Sequence, residues 1–183
     1  MSNENKQSIY NPFVMIHGRQ TVFSRQTVLE GKVSIVMPDD FALLDEATRR
    51  KMYAVSDAPG ELYSNEQGCF VLGFKQAETA IAENQLDFAM DIMKKVFPYS
   101  AHQAQLLSAK IMQAQNAQLG VLAYAHETLL EKVCQVMFLG SLEGRMLVGS
   151  LHFSLKDSEW MLPLAEEIIG SYCDLTQKEG GKE

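Results

Sequence analysis

Between residues 106 and 153 the chain holds four stretches of strand-forming residues joined by three connectors too short for a crossover. The pattern predicts strands over 106–114, 119–126, 132–139 and 145–153, separated by Gln115-Asn116, by 127–131 and by the glycine-bounded turn 140–144. Parallel neighbours need a connection of about a dozen residues or more, so these links impose an antiparallel meander. In the last segment Leu147, Gly149, Leu151 and Phe153 point one way and Met146, Val148, Ser150 and His152 the other.

The remaining segments must pack against that sheet. Residues 1–12 read as a flexible arm, and 13–25 as a hairpin or bent strand about Gly18. Over 32–37, Val33, Ile35 and Met37 alternate with Ser34 and Val36, and Pro38 ends the run because it has no N–H to give to a ladder. A short helix is expected over 44–52, with Asp45 as its cap, then an irregular connector over 53–60. A hairpin follows, with strands over 61–64 and 69–75. Residues 83–97 carry the clearest helical stripe, Leu86, Ala89, Met90, Met93, Val96 and Phe97, and Pro98 is expected to stop it. A closing helix over 158–172 has Met161, Leu164, Ala165, Ile168, Ile169 and Tyr172 on one side, and 174–183 should fray. The expectation is one α+β domain over 13–173: a twisted, mainly antiparallel sheet flanked by two major helices and one short one.

The opening VSIVMPDDFALLDEATRRKMY, the hairpin GELYSNEQGCFVLGF, the helix end MKKVFP and the closing FLGSLEGRMLVGSLHFSLKDSEWMLPLAEEIIGSYC carry a resemblance. Over roughly residues 30 to 173 the chain resembles the superfamily of the photosystem II subunit PsbP and the eukaryotic Ran-binding nuclear-import factor, in an uncharacterised bacterial branch. The resemblance implies a PsbP-like fold. It also implies a binding or assembly role, of the kind that includes secretion-effector chaperones, rather than one shared active site.

Composition narrows the partners. A net charge of -7 opposes a broad nucleic-acid surface, and Arg19, Arg25, Arg49, Arg50 and Lys51 share their region with Asp39, Asp40, Asp45, Glu46 and Asp57. No nucleic acid is expected as a partner. The polar N-terminus lacks a signal-peptide pattern and no run is apolar enough to span a bilayer, so a cytoplasmic protein without membrane insertion is expected. Cys69, Cys134 and Cys173 make neither a disulfide framework nor a CxxC site; they read as packing cysteines, with Cys173 the candidate for a reactive thiol.

No motif supplies a catalytic, cofactor or metal site. His17, His102, His126 and His152 have no ligand spacing, Asp39, Asp40, Asp45 and Glu46 do not follow a calcium-loop alternation, and 140–144 lacks the lysine of a phosphate loop. GxSxG is absent, Ser141 and Ser150 fall in a turn and a strand, and Cys134 alternates as a packing residue. His126-Glu127 is the most chemical pair, and a small-molecule hydrolase built on it is the enzyme alternative. Met90, Met93, Met112, Met137, Met146 and Met161 can fill a core or line a deformable groove, and Trp160 reads as a packing anchor. A protein-binding or assembly module that contacts a protein partner through a sheet edge or face leads this reading. A structural homo-oligomer is the third alternative.

Overall fold

The computed structural model of the chain describes residues 7–52 and 60–177. In chain order the strands begin with β1 (Val14–Ile16), β2 (Arg19–Thr21), β3 (Phe23–Val28), β4 (Val33–Pro38) and β5 (Ala42–Leu43), followed by helix α1 (Glu46–Met52). Then come β6 (Glu61–Ser64), β7 (Phe70–Ala80), α2 (Leu86–Ser100), β8 (His102–Gln113), β9 (Gln118–Glu127), β10 (Lys132–Leu142) and β11 (Arg145–Ser154). Helix α3 (Ser158–Gly170) and β12 (Cys173–Asp174) close the order.

A seven-stranded sheet in the order β5-β6-β7-β11-β10-β9-β8 forms the centre, and a three-stranded sheet, β12-β4-β3, lies beside it. Their ladders are antiparallel. The meander is as the alternation predicts, with each strand lengthened by one to four residues at an end. The α+β class and mainly antiparallel sheet are those expected.

The main core fills the space between one face of the large sheet, α3 and the small sheet. Phe138, Leu151 and Leu72 from the large sheet meet Leu164, Ile168 and Ile169 of α3 and Ile35 and Met37 of β4 there, all buried. Gly149 is demanded by this packing, because a Cβ on it would lie 1.9 Å from Cζ of Phe138. On the opposite face α2 makes a smaller core from Met90 and Phe97 against Leu122, Tyr124, Met137 and Leu139.

Several boundaries depart from the sequence reading. Pro98 lies inside the last turn of α2 rather than ending it, since Ala101 N–H still reaches the Phe97 carbonyl at 3.1 Å and the Ser100 hydroxyl donates to the same oxygen. Residues 83–85 form a separate 3-10 turn. Strand β7 runs five residues past the predicted end at 75 because β11 supplies a ladder as far as Ala80. The closing helix stops at Gly170, where Ser171 caps it with N–H donation to the Glu167 and Ile168 carbonyls.

Both faces of β4 are buried, not one. The second face is sealed by polar matching: Arg25 donates to the Ser34 hydroxyl and to the Ser171 carbonyl, each at 2.9 Å, and Val36 N–H donates to the Ser171 hydroxyl at 2.8 Å.

The two ends depart too. Of the expected arm, residues 7–12 are described; Ile9 is buried, and Glu167 accepts hydrogen bonds from the Ser8 hydroxyl and Ile9 N–H. Of the expected tail, Asp174 pairs with Val33 and is clasped reciprocally by the Asn116 amide. Polar side chains distant in sequence fasten these segments, which local composition does not reveal. The connector expected over 53–60 lies, apart from Gly60, outside the described residues.

Candidate interaction surface

The hydrolase candidate comes apart on the sheet. His126 pairs across the ladder with Val133 and Glu127 with Lys132, and adjacent residues of a strand project to opposite faces. His126 Nε2 meets the Gln135 amide oxygen at 3.1 Å, whereas the Glu127 carboxylate holds Lys132 at 3.1 Å. A general base and its orienting carboxylate need a direct hydrogen bond, and this pair has separate partners.

The ladder instead brings His126 and His152 onto one face of the sheet, through a cross-strand register that local spacing does not reveal. Tyr124, Gln135 and His152 form one row across β9, β10 and β11, with His126 one step along the same face. Phe97 of α2 stacks on Tyr124 at 4.1 Å and meets the His126 ring edge-on at 5.8 Å. Burial, aided by the nearby His126, pushes the His152 imidazole down to about 4. Burial raises the Tyr124 phenol, whose oxygen has no hydrogen-bond partner among the described residues. Through Phe97, Tyr124 and His126 hold the C-terminal half of α2 to the sheet.

The other histidines are dispersed. His17 bonds Asp157 at 2.8 Å at the surface with its ring edge-on to Trp160, and His102 contacts Gln103 at the start of β8. Among the described residues no group of three or more His, Cys, Asp or Glu side chains is placed to hold a metal ion. Burial pushes the Cys134 thiol up to about 11 and also raises Cys69, which disfavours the nucleophilic thiolate at both. Cys173 is half-buried in β12 against Ser34. Ser141 donates to the Ile81 carbonyl at 2.8 Å, and Ser150 is buried in β11.

The charged clusters are divided among local tasks. Asp45 accepts Thr48 N–H at 2.7 Å as the cap of α1, and this bond holds its carboxyl below the usual range. Asp40 faces Arg19 at 3.6 Å and also accepts from Asn65. Glu46 pairs with Arg50, and Arg49 reaches the Gly60 carbonyl. The 140–144 segment is a tight strand connection in which Glu143 and Gly144 take positive φ.

Exposed apolar surface is concentrated elsewhere. On α2, Phe88 is 68%, Ile92 45%, Val96 53% and Tyr99 92% exposed, forming a second stripe beside the buried one. The i, i+4, i+8 spacing of Phe88, Ile92 and Val96 is the sequence signal for it, although the 83–97 pattern counts Val96 in the buried stripe. Of the methionines proposed for a groove, Met90, Met137 and Met161 are core residues, and Met93, Met112 and Met146 are half-buried.

Beside α2 lies β8, the terminal strand of the large sheet. It is 12 residues long and exposed at ten of them. Leu106 and Leu107 are each 42% exposed and Ile111 38%. Edges this long are normally shortened, charged or covered, because their unpaired N–H and C=O groups invite another strand. Here the one formal charge within the strand, Lys110, is held by Glu166 of α3 at 2.6 Å.

No protein-family model and no curated protein matches the chain. Among solved structures it is similar to the cyanobacterial PsbP, CyanoP, of Synechocystis, at 13% identity and a TM-score of 0.56, covering 83% of this chain and 92% of that one. A Bacteroides thetaiotaomicron protein matches at 13% identity and a TM-score of 0.52, over 87% of this chain but only 50% of its own. LpqN of Mycobacterium tuberculosis, described as involved in cell envelope biogenesis, matches at 14% identity and a TM-score of 0.49, covering 88% of this chain and 98% of that one. The likeness to CyanoP establishes a PsbP-like fold.

Proposed function

We propose that this chain is a non-enzymatic protein-binding or assembly module of the bacterial cytoplasm, with the open edge of β8 as its contact surface. The observation that carries the reading is the long, exposed, nearly uncharged edge strand. Strand addition supplies affinity through main-chain hydrogen bonds and specificity through alternate side chains, and β8 offers both. Three cysteines without a disulfide suit a reducing compartment. The PsbP-like fold is compatible with such a role, and no helix among the described residues is long and apolar enough to cross a membrane.

The test is affinity capture with wild-type chain and with Ala109→Pro, which removes one edge N–H while an edge strand tolerates the ring. The wild type should retain a protein, foreign or identical, in fixed stoichiometry, and the variant should lose it while keeping its melting temperature to within a few degrees. Capture by neither, or equally by both, together with turnover of a defined substrate, would defeat the proposal.

A further inference from the structure

The last nine residues of β8 read Gln105-Leu106-Leu107-Ser108-Ala109-Lys110-Ile111-Met112-Gln113. Their polarity is the same in both directions. About Ala109, Ser108 mirrors Lys110, Leu107 mirrors Ile111, Leu106 mirrors Met112 and Gln105 mirrors Gln113.

We propose that the occupant of this edge is a second copy of the same chain, its β8 running antiparallel to the first about a twofold axis at Ala109 and joining the two sheets into one. This inference rests on the reading that the β8 edge is the contact surface. A twofold pairing presents each strand with its own sequence reversed, so a segment with mirrored polarity complements itself. Ile111 then faces Leu107 of the other copy, Met112 faces Leu106, and each terminal glutamine faces its equivalent. The pairing uses the leucines and isoleucine that stand exposed in the single chain.

The backbone has the required phase. Ala114 N–H donates to the Ala117 carbonyl at 2.9 Å across the β8–β9 turn. Antiparallel alternation then directs the N–H and C=O of Met112 and Lys110 toward β9 and those of Gln113, Ile111 and Ala109 outward. Ala109, at the axis, exchanges both its bonds with its counterpart. The irregularity in the β8–β9 register between Leu106 and Ser108 lies inside the mirrored segment, so the regular part of the edge is Ser108 to Gln113 and the copies meet at Leu107 and Leu106 across a bulge.

Charge is compatible with the same axis. Lys110 falls opposite Ser108 of the other copy rather than opposite another lysine, and its ammonium is already held by Glu166. Helix α2 packs over β8 and β9, so the axis runs the two α2 helices antiparallel on one face. The acidic first half of each, Asp87 and Asp91, then passes the basic second half of the other, Lys94 and Lys95. An unrelated strand would need this order of polarity by coincidence; a second copy has it by symmetry.

The test uses two double variants, Leu107→Lys with Ile111→Lys and Leu107→Glu with Ile111→Glu, with sedimentation and light scattering over a concentration series. Wild type should dimerise, and each variant alone should be monomeric, its dissociation constant raised roughly 100-fold or more by like charges placed opposite. An equimolar mixture should recover a one-to-one heterodimer, because the lysines of one chain then face the glutamates of the other. Circular dichroism verifies that each variant is folded.

A wild type monomeric throughout, a variant that still dimerises, or a mixture that stays monomeric overturns self-pairing. In the first case Ala109→Pro separates the two proposals. If that variant loses a foreign partner, the binding module survives without self-pairing; if capture is unaffected, both fail.

Discussion

Helices α3 and α2 cover opposite faces of the same sheet, yet among the described residues only α3 is finished by its own chain. Met161, Leu164, Ala165, Ile168 and Ile169 of α3 are all buried, because the small sheet closes over the side that the large sheet leaves open. Helix α2 has the large sheet on one side, and its apolar arc is wider than that sheet can cover: Leu86, Met90 and Phe97 are buried while Phe88, Ile92, Val96 and Tyr99 stand out. An apolar stripe therefore becomes core only when a second layer is available to it. The α3 side is specified for stability, and the α2 side, with β8 beside it, leaves surface to spare.

The sharpest way to break this contrast is to truncate one isoleucine on each helix. Ile168→Ala, at a fully buried site of α3, should cost about 3 kcal/mol in denaturant unfolding, from lost transfer energy and the cavity left behind. Ile92→Ala on α2 should cost no more than about 0.5 kcal/mol. Equal costs would show that the exposed stripe is covered in solution.

A smaller effect should distinguish the faces by pH. The folded-state value of His152 lies near 4 and its ordinary value near 6.5, so the unfolded chain binds the proton more readily between these limits. The stability associated with its neutral form is fully present above about 6.5 and is lost as pH falls through 4. The residue is half-buried rather than fully enclosed, so the loss should be roughly 2 kcal/mol rather than the full linkage value. His152→Gln should flatten that part of the stability profile, and a profile unchanged from wild type would place the pH sensitivity elsewhere.

The smallest effect on stability should come from Phe88→Ser, within about 0.5 kcal/mol of wild type because the ring is mostly in water. The same change should reduce retention on an apolar column, which checks that the stripe faces solvent. Unchanged retention would show that it does not.

The meander was legible because four strands and three short connectors leave antiparallel pairing as the economical topology. The helical stripe of α3 was legible for a similar reason, since its pattern matches one covered face. By contrast, the open position of β8 was not visible in its residues: strand order is a long-range property, set by which neighbours a strand finds. Nor was the placing of His126 and His152 on one face visible, because it arises from cross-strand register over 26 residues of chain. The N-terminal docking was hidden likewise, since it depends on one carboxylate, Glu167, far along the chain.

The Asn116 clasp on Asp174 gives β8 two unequal ends. Its Gln113 end runs into a turn pinned by two hydrogen bonds to β12, while its His102 end passes through two register irregularities and has no such clasp among the described residues. Local opening, which starts where backbone bonds are exposed and few contacts resist, therefore begins at the His102 end and runs toward the turn. The edge behaves as a ribbon hinged at one end, and the order in which its amides exchange with solvent is written into the clasp.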